Sequence, residues 1–231
     1  MTLQAEIAKI RWAASATEFA KDKAAVESIE RGCRLISVWN HELAFQFHGN
    51  CALPFLQELK SSIFLVPACF SVGLYKPAAA SMRGAVENAL YFSYFCDHEV
   101  ELKTLLRDKG FYLSKKEIID YHLRHTQDFR AKQDALGLSS ELESWYSEIS
   151  AIIHGQIPGV WSSRSLSKIH HDSQSLRLAV KEFTRAILII NYLFLITTAD
   201  DVWNGISSQA RQFLLKGMSS TRKAVLNRPL V

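Results

Sequence analysis

The chain has little of what marks most specialised sequence classes. Glycine and proline number 10 and 5 in 231 residues, too few for a collagen-like, linker-rich or disordered chain. Cysteine occurs four times, at Cys33, Cys51, Cys69 and Cys96, and no two are spaced as a Cys-x-x-Cys zinc or redox motif. Their mostly apolar neighbours read as buried free thiols, which suits a reducing, cytoplasmic setting. No phosphate-cradling glycine loop, no GxSxG and no HExxH occurs, so P-loop or Rossmann nucleotide binding and zincin chemistry find no support. The N-terminal MTLQAEIAKIRW has neither the apolar stretch nor the cleavage site of a signal peptide. Long hydrophobic runs are missing too. The two longest, residues 61–75 and 186–199, hold 15 and 14 residues, short of the roughly 20 that a bilayer span needs. Both read as buried core helices, and no membrane partner is expected.

What is there is ordinary globular material, 48% hydrophobic and 22% charged, in a chain long enough to bury a core without disulfides. The net charge of +4 is unevenly spread. Residues 202–231 carry five basic residues and no acid, leaving 22 basic against 23 acidic residues in the first 201. Residues 103–132 hold eight Lys/Arg against four Asp/Glu, whereas residues 133–158 hold four acids and no Lys or Arg. Such asymmetry allows a polyanionic partner such as RNA, though a solvated surface with a basic tail accounts for it equally.

Apolar residues recur at threes and fours nearly throughout, which predicts an all-α chain, a single helical bundle of seven to nine helices. Residues 4–44 read as one or two helices, closed by Gly49 and Asn50. Pro54 opens a helix that carries Pro67, and Pro77 stands in the first turn of the next. Asp97 is a candidate cap for a short helix. Ser114 with Glu117, and Ser140 with Glu143, read as capping boxes. The first helix is expected to run to about Ala135, and the second to end at Gly155. Residues 156–171 read as a long loop. A long apolar helix from Ser173 to about Thr198 follows, then a short helix over residues 208–216 and a basic tail. The organisation expected is a helical domain over residues 1–201 and a short helix with a tail over 202–231.

Two constellations carry chemistry. Arg83 and Glu87 lie four apart in an otherwise apolar helix, so they share a face, and charge there is costly unless paired. They read either as a structural ion pair or as an arginine aimed into a polar pocket and oriented by Glu87. Tyr146, Ser150 and His154 fall at i, i+4 and i+8, stacked along one face. His154 stands in the last turn, where the helix dipole favours a protonated ring. Elsewhere, His122-x-x-His125 has metal-ligand spacing but no carboxylate at a matching position, so no metal and no cofactor is expected.

An apolar helix with RxxxE (Arg83, Glu87) followed by a helix ending in YxxxSxxxHG (Tyr146, Ser150, His154, Gly155) resembles the HEPN-like helical domains. The likeness is nearest to the uncharacterised bacterial branch found beside abortive-infection and other phage-defence functions. It spans about residues 56–198. The resemblance implies an up-and-down bundle, a homodimer with its polar face at the dimer cleft, and metal-independent ribonuclease chemistry. In that chemistry His154 is the acid or base and Arg83 stabilises the phosphate, supported by Glu87, Tyr146 and Ser150. A partner protein of a defence or toxin–antitoxin system is a further implication. Arg164, Lys168, His170 and His171 in the long loop are candidate nucleic-acid contacts. The chain departs from the family signature, an Arg separated from the His by four to six residues on one helix. Ser147, Glu148 and Ile149 stand at those positions, while Arg34–His41 and Arg164–His170 or His171 match the spacing. Arg83 from a neighbouring helix is then the residue that has to fill the role. The alternatives are a non-catalytic dimeric interaction module, in which Arg83–Glu87 is structural, and small-ligand binding beside His154.

Overall fold

The computed structural model describes residues 2–161 and 165–226. Among them the regular structure is helical, with no strand. The N-terminal stretch forms α1 (Leu3–Ile7), α2 (Trp12–Lys21) and α3 (Lys23–Gln46). Then come α4 (Leu53–Ser71), α5 (Tyr75–Phe95), α6 (Glu99–Arg107), α7 (Lys115–His125), α8 (Phe129–Leu136) and α9 (Leu138–Ile153). A 3-10 turn, Leu166–Lys168, precedes α10 (Ser173–Thr197), α11 (Ala199–Val202), α12 (Ser208–Leu214) and α13 (Ser220–Val225). The segments outnumber the seven to nine expected because local chemistry divides the periodic stretches. Asp22 ends α2 and its carboxylate caps α3 by accepting from the Ala25 N–H. Asp128, left-handed at φ 56°, separates α7 from α8 where one helix to Ala135 was expected.

The two capping boxes fare differently. Ser114 and Glu117 form one in full at the start of α7. Ser140 and Glu143 do not, because Gly137 (φ 72°) lets the chain turn directly from α8 into α9. Ser140 then lies inside α9 and donates to the Gly137 carbonyl. Asp97 is no cap either: α6 begins after His98 without a side-chain cap. Helix α10 starts at Ser173 as expected, with Asp172 as its cap. Gly155 follows α9 with φ 72°, as the last-turn reading anticipated.

The core is built by α3, α4, α5, α9 and α10. Asn40 donates to the Leu56 carbonyl and Gly84 faces Ser62, so α3–α4 and α4–α5 are antiparallel hairpins. Paired positions on α3 and α10 advance together: Ser28 with Thr184, Gly32 with Ile187, Trp39 with Asn191. These two helices therefore run parallel. Pro67 is accommodated inside α4, and Pro77 stands in the first turn of α5. Trp39, Trp145, Phe70, Phe92, Phe183 and Phe194 are fully buried. Trp203, Ile206, Leu214, Leu215 and Leu226 join the same core, so the described residues after 201, through Leu226, are packed onto the bundle. No helix among the described residues is long and apolar enough to cross a membrane. All four cysteines are free. Burial pushes the Cys33 thiol up to about 11 and the Cys96 thiol to about 12, whereas Cys51 is exposed.

Candidate functional site

The charged residues of helix α5 lie on one stripe. Lys76, Ala80, Arg83 and Glu87 recur at intervals of four, three and four and so occupy one side of the helix. Helix α9 packs against α5, anchored by Trp145, whose indole N–H donates to the Glu182 carbonyl of α10. That packing lays Tyr146, the next residue, over Arg83. The guanidinium carbon lies 4.6 Å from the Tyr146 ring centre, and the Lys115 ammonium lies 5.0 Å from it.

The polar contacts close into a knot. Arg83 Nε donates to Glu87 Oε1 at 3.0 Å and to the Tyr146 hydroxyl at 3.1 Å. Arg83 Nη2 donates to the same hydroxyl at 2.7 Å, and that hydroxyl donates to Glu87 Oε1 at 2.6 Å. Arg83 Nη1 stands 3.2 Å from His154 Nε2. A guanidinium has only donors, so this contact requires an unprotonated Nε2 with the ring proton on Nδ1. Burial and the Glu87 carboxylate push the Tyr146 phenol up to about 12, with Arg83 opposing. Burial works against the Arg83 charge, but Glu87 and Tyr146 outweigh it and hold the guanidinium more firmly charged than usual.

Four of the five residues singled out on these helices therefore meet: Arg83, Glu87, Tyr146 and His154. Ser150 lies between Tyr146 and His154 on α9, but its buried hydroxyl has no hydrogen-bond partner among the described residues. The Arg83 side chain is 25% exposed, and His154, the C-cap of α9, is exposed. The group is thus open on the His154 side. On the other side a cavity of about 130 Å³ is lined by Arg83, Glu87, Tyr146, Tyr91, Tyr112 and Lys115 among others.

The loop candidates lie elsewhere. Arg164 is outside the described residues. Lys168 is exposed on the 3-10 turn, and the His170 ring N–H donates to its carbonyl at 2.7 Å. The His171 N–H donates to Ser15 of α2. The Tyr75 hydroxyl accepts from the Asp172 N–H and donates to the Asp172 carbonyl. This segment is therefore clamped at the start of α5, eight residues or about 12 Å along the helix from Arg83. The pair Arg34–His41 sits on exposed positions of α3, with Arg34 over the Phe213 ring.

His122 is buried rather than free to ligate. Its Nε2 is 3.1 Å from Ser93 Oγ, its Nδ1 is 2.8 Å from Thr126 Oγ1, and its ring stacks on Phe129. Among the described residues, no group of three or more His, Cys, Asp or Glu is placed to hold a metal ion.

Three contributors escaped the sequence reading. Lys76 lies 3.7 Å from where a Cβ on Gly155 would stand, and its signal was its place seven residues before Arg83. Tyr112, in the turn before α7, and Lys115, the first residue of α7, also reach the site, and no spacing links them to α5 or α9. Compared with known proteins, the chain matches no family model, no curated protein and no solved structure.

Proposed function

We propose that the chain is an HEPN-like helical protein of bacterial defence or toxin type that acts on RNA by metal-independent phosphodiester cleavage. The observation that carries this reading is the 3.2 Å approach of Arg83 Nη1 to His154 Nε2. An arginine from α5 thereby takes the place beside the histidine that no residue of α9 supplies. In the proposed reaction Arg83 Nη1 turns from His154 Nε2 to the phosphate, and the lone pair it frees accepts the proton of an RNA 2′-hydroxyl. The 2′-oxygen bonds to phosphorus, the bond from phosphorus to the 5′-oxygen breaks, and solvent protonates the departing oxygen. The products are a 2′,3′-cyclic phosphate and a 5′-hydroxyl. Arg83 stabilises the extra charge on the phosphorane. Glu87 and Tyr146 are positioning residues: they hold the guanidinium so that Nη1 faces His154. Lys76 adds a cation beside Gly155, and Tyr112, 68% exposed, offers a face on which a base can stack. A homodimer, a cytoplasmic setting and a partner protein belong to the same reading.

The test is incubation of cellular RNA with wild type and with His154→Ala in EDTA, followed by sequencing of the new ends. The expected result is metal-free cleavage leaving 2′,3′-cyclic phosphates, lost in His154→Ala and in Arg83→Ala. Cleavage unchanged in both variants overturns the reading.

A second reading has its own observation: Arg83 is already bonded at Nε, Nη1 and Nη2. Such a knot also ties α5 to α9 as a structural bridge in a non-catalytic module. On this reading Arg83→Ala lowers stability by about 2 kcal/mol, between an exposed and a fully buried pair, and His154→Ala leaves every activity of the protein unchanged.

A further inference from the structure

A groove on the opposite side of α10 has walls and charges that the polar knot does not use. It lies between α3, α10 and the turn after α12, with a volume of about 270 Å³. Its walls are apolar: Leu35, Phe183, Ile187, Leu188 and Met218. Its floor is closed where α3 and α10 touch: a Cβ added at Gly32 would come within 2.5 Å of the Phe183 ring. The hydroxyls of Ser28 and Thr184, 3.4 Å apart, bridge one end. Asn191 closes the other and offers nothing to a ligand. Its Oδ1 accepts from the Trp39 indole and its Nδ2 donates to the Leu214 carbonyl.

The polar capacity sits at the rim. Arg31 on α3 and Lys216 on the turn after α12 both line the groove and are both exposed. Neither side chain makes a hydrogen bond or ion pair among the described residues. The acids nearest to Arg31 in sequence, Glu27 and Glu30, do not line the groove.

We propose that this groove binds a single-chain amphiphile with an anionic head, a medium-chain carboxylate. Its alkyl chain lies along α10, and its head lies between Arg31 and Lys216. The argument is charge complementarity joined to shape. Apolar walls gain by shedding water onto a hydrocarbon chain, and two unpaired cations at the lip select an anion and repel a cation. The stretch from Thr184 to Asn191 is two helical turns, about 10 Å. At about 1.5 Å per carbon–carbon bond, laid out in a zigzag, this suits a chain of roughly eight carbons.

The test is titration of the full chain with octanoate and with octanol, followed by calorimetry and by methyl NMR of the groove. The expected result is saturable binding of one octanoate per chain. Leu188→Trp, at a partly exposed position, fills the groove and removes binding. Leu35→Trp from the facing helix serves as a second plug should the first fail to fold. Arg31→Gln combined with Lys216→Gln weakens octanoate about tenfold and leaves octanol unchanged. Absence of saturable binding by wild type overturns the proposal. So does binding that survives both plugs, and so does equal binding of octanol and octanoate that ignores the double glutamine variant.

Discussion

His122 holds its ring between Ser93 and Thr126 and against Phe129. There burial, with a smaller push from His98, lowers its pKa from about 6.5 to about 4. The native state refuses a proton that the unfolded chain accepts between those values. The stability this provides is fully present above about pH 6.5 and is lost as pH falls toward about 4. At about 1.4 kcal/mol per unit, the whole effect is roughly 3 kcal/mol. Urea midpoints measured from pH 7.5 down to pH 4 are expected to fall through that window in wild type and to fall less steeply in His122→Gln. Equal slopes would assign the titration to another group. The metal-like spacing of His122 and His125 could be read in the sequence. That Ser93, from another helix, takes up the Nε2 of His122 could not, because it depends on α5 meeting α7.

Helix α9 is joined to α10 by a charged network that hydrophobic periodicity does not reveal. Arg185 donates to Glu141 at 2.6 Å, and to Glu148 and Glu182 at 2.8 Å. Glu182 is 8% exposed, and burial raises its pKa despite Arg185. Arg185→Ala strands that carboxylate beside two others. The expected loss is about 3 kcal/mol, read from chemical denaturation; a loss under about 0.5 kcal/mol would show a solvated pair instead. The segment before α10 is fixed by backbone geometry. Gly73 has φ 78°, and a Cβ there would come within 2.1 Å of the His170 carbonyl oxygen. Gly73→Ala combines a left-handed strain of about 1 kcal/mol with that clash. It is expected to lower the melting temperature and to speed proteolysis within residues 156–172. An unaltered cleavage pattern would contradict the clamp. The stretch reads as loop from its Ser, Gly and Pro, but its ties to Ser15 and Tyr75 join positions far apart in sequence.

Across the whole molecule, one core takes in α3, α4, α5, α9, α10 and the helices after residue 201. The Leu214 carbonyl accepts from Asn191, which also holds Trp39, so the C-terminal helices share their contacts with the centre of the bundle. Unfolding is therefore expected to be a single transition, with tryptophan fluorescence and far-ultraviolet circular dichroism coinciding. With all four thiols free, reductant is expected to leave the midpoint unchanged. Two separated transitions would mark the C-terminal helices as an independent unit. By itself the sequence determined the helical class, the Ser114–Glu117 cap, the turn at Gly155 and the two polar faces. Each of these follows from residue types a few positions apart, where spacing in sequence and spacing in space are the same thing. The tertiary structure alone decided that the two faces meet. Arg83 and His154 are 71 residues apart, and their 3.2 Å contact exists because α5 and α9 pack against one another while Trp145 ties α9 to α10. A helix face can be read from a period, but its partner is chosen by packing, and packing is a property of the whole chain.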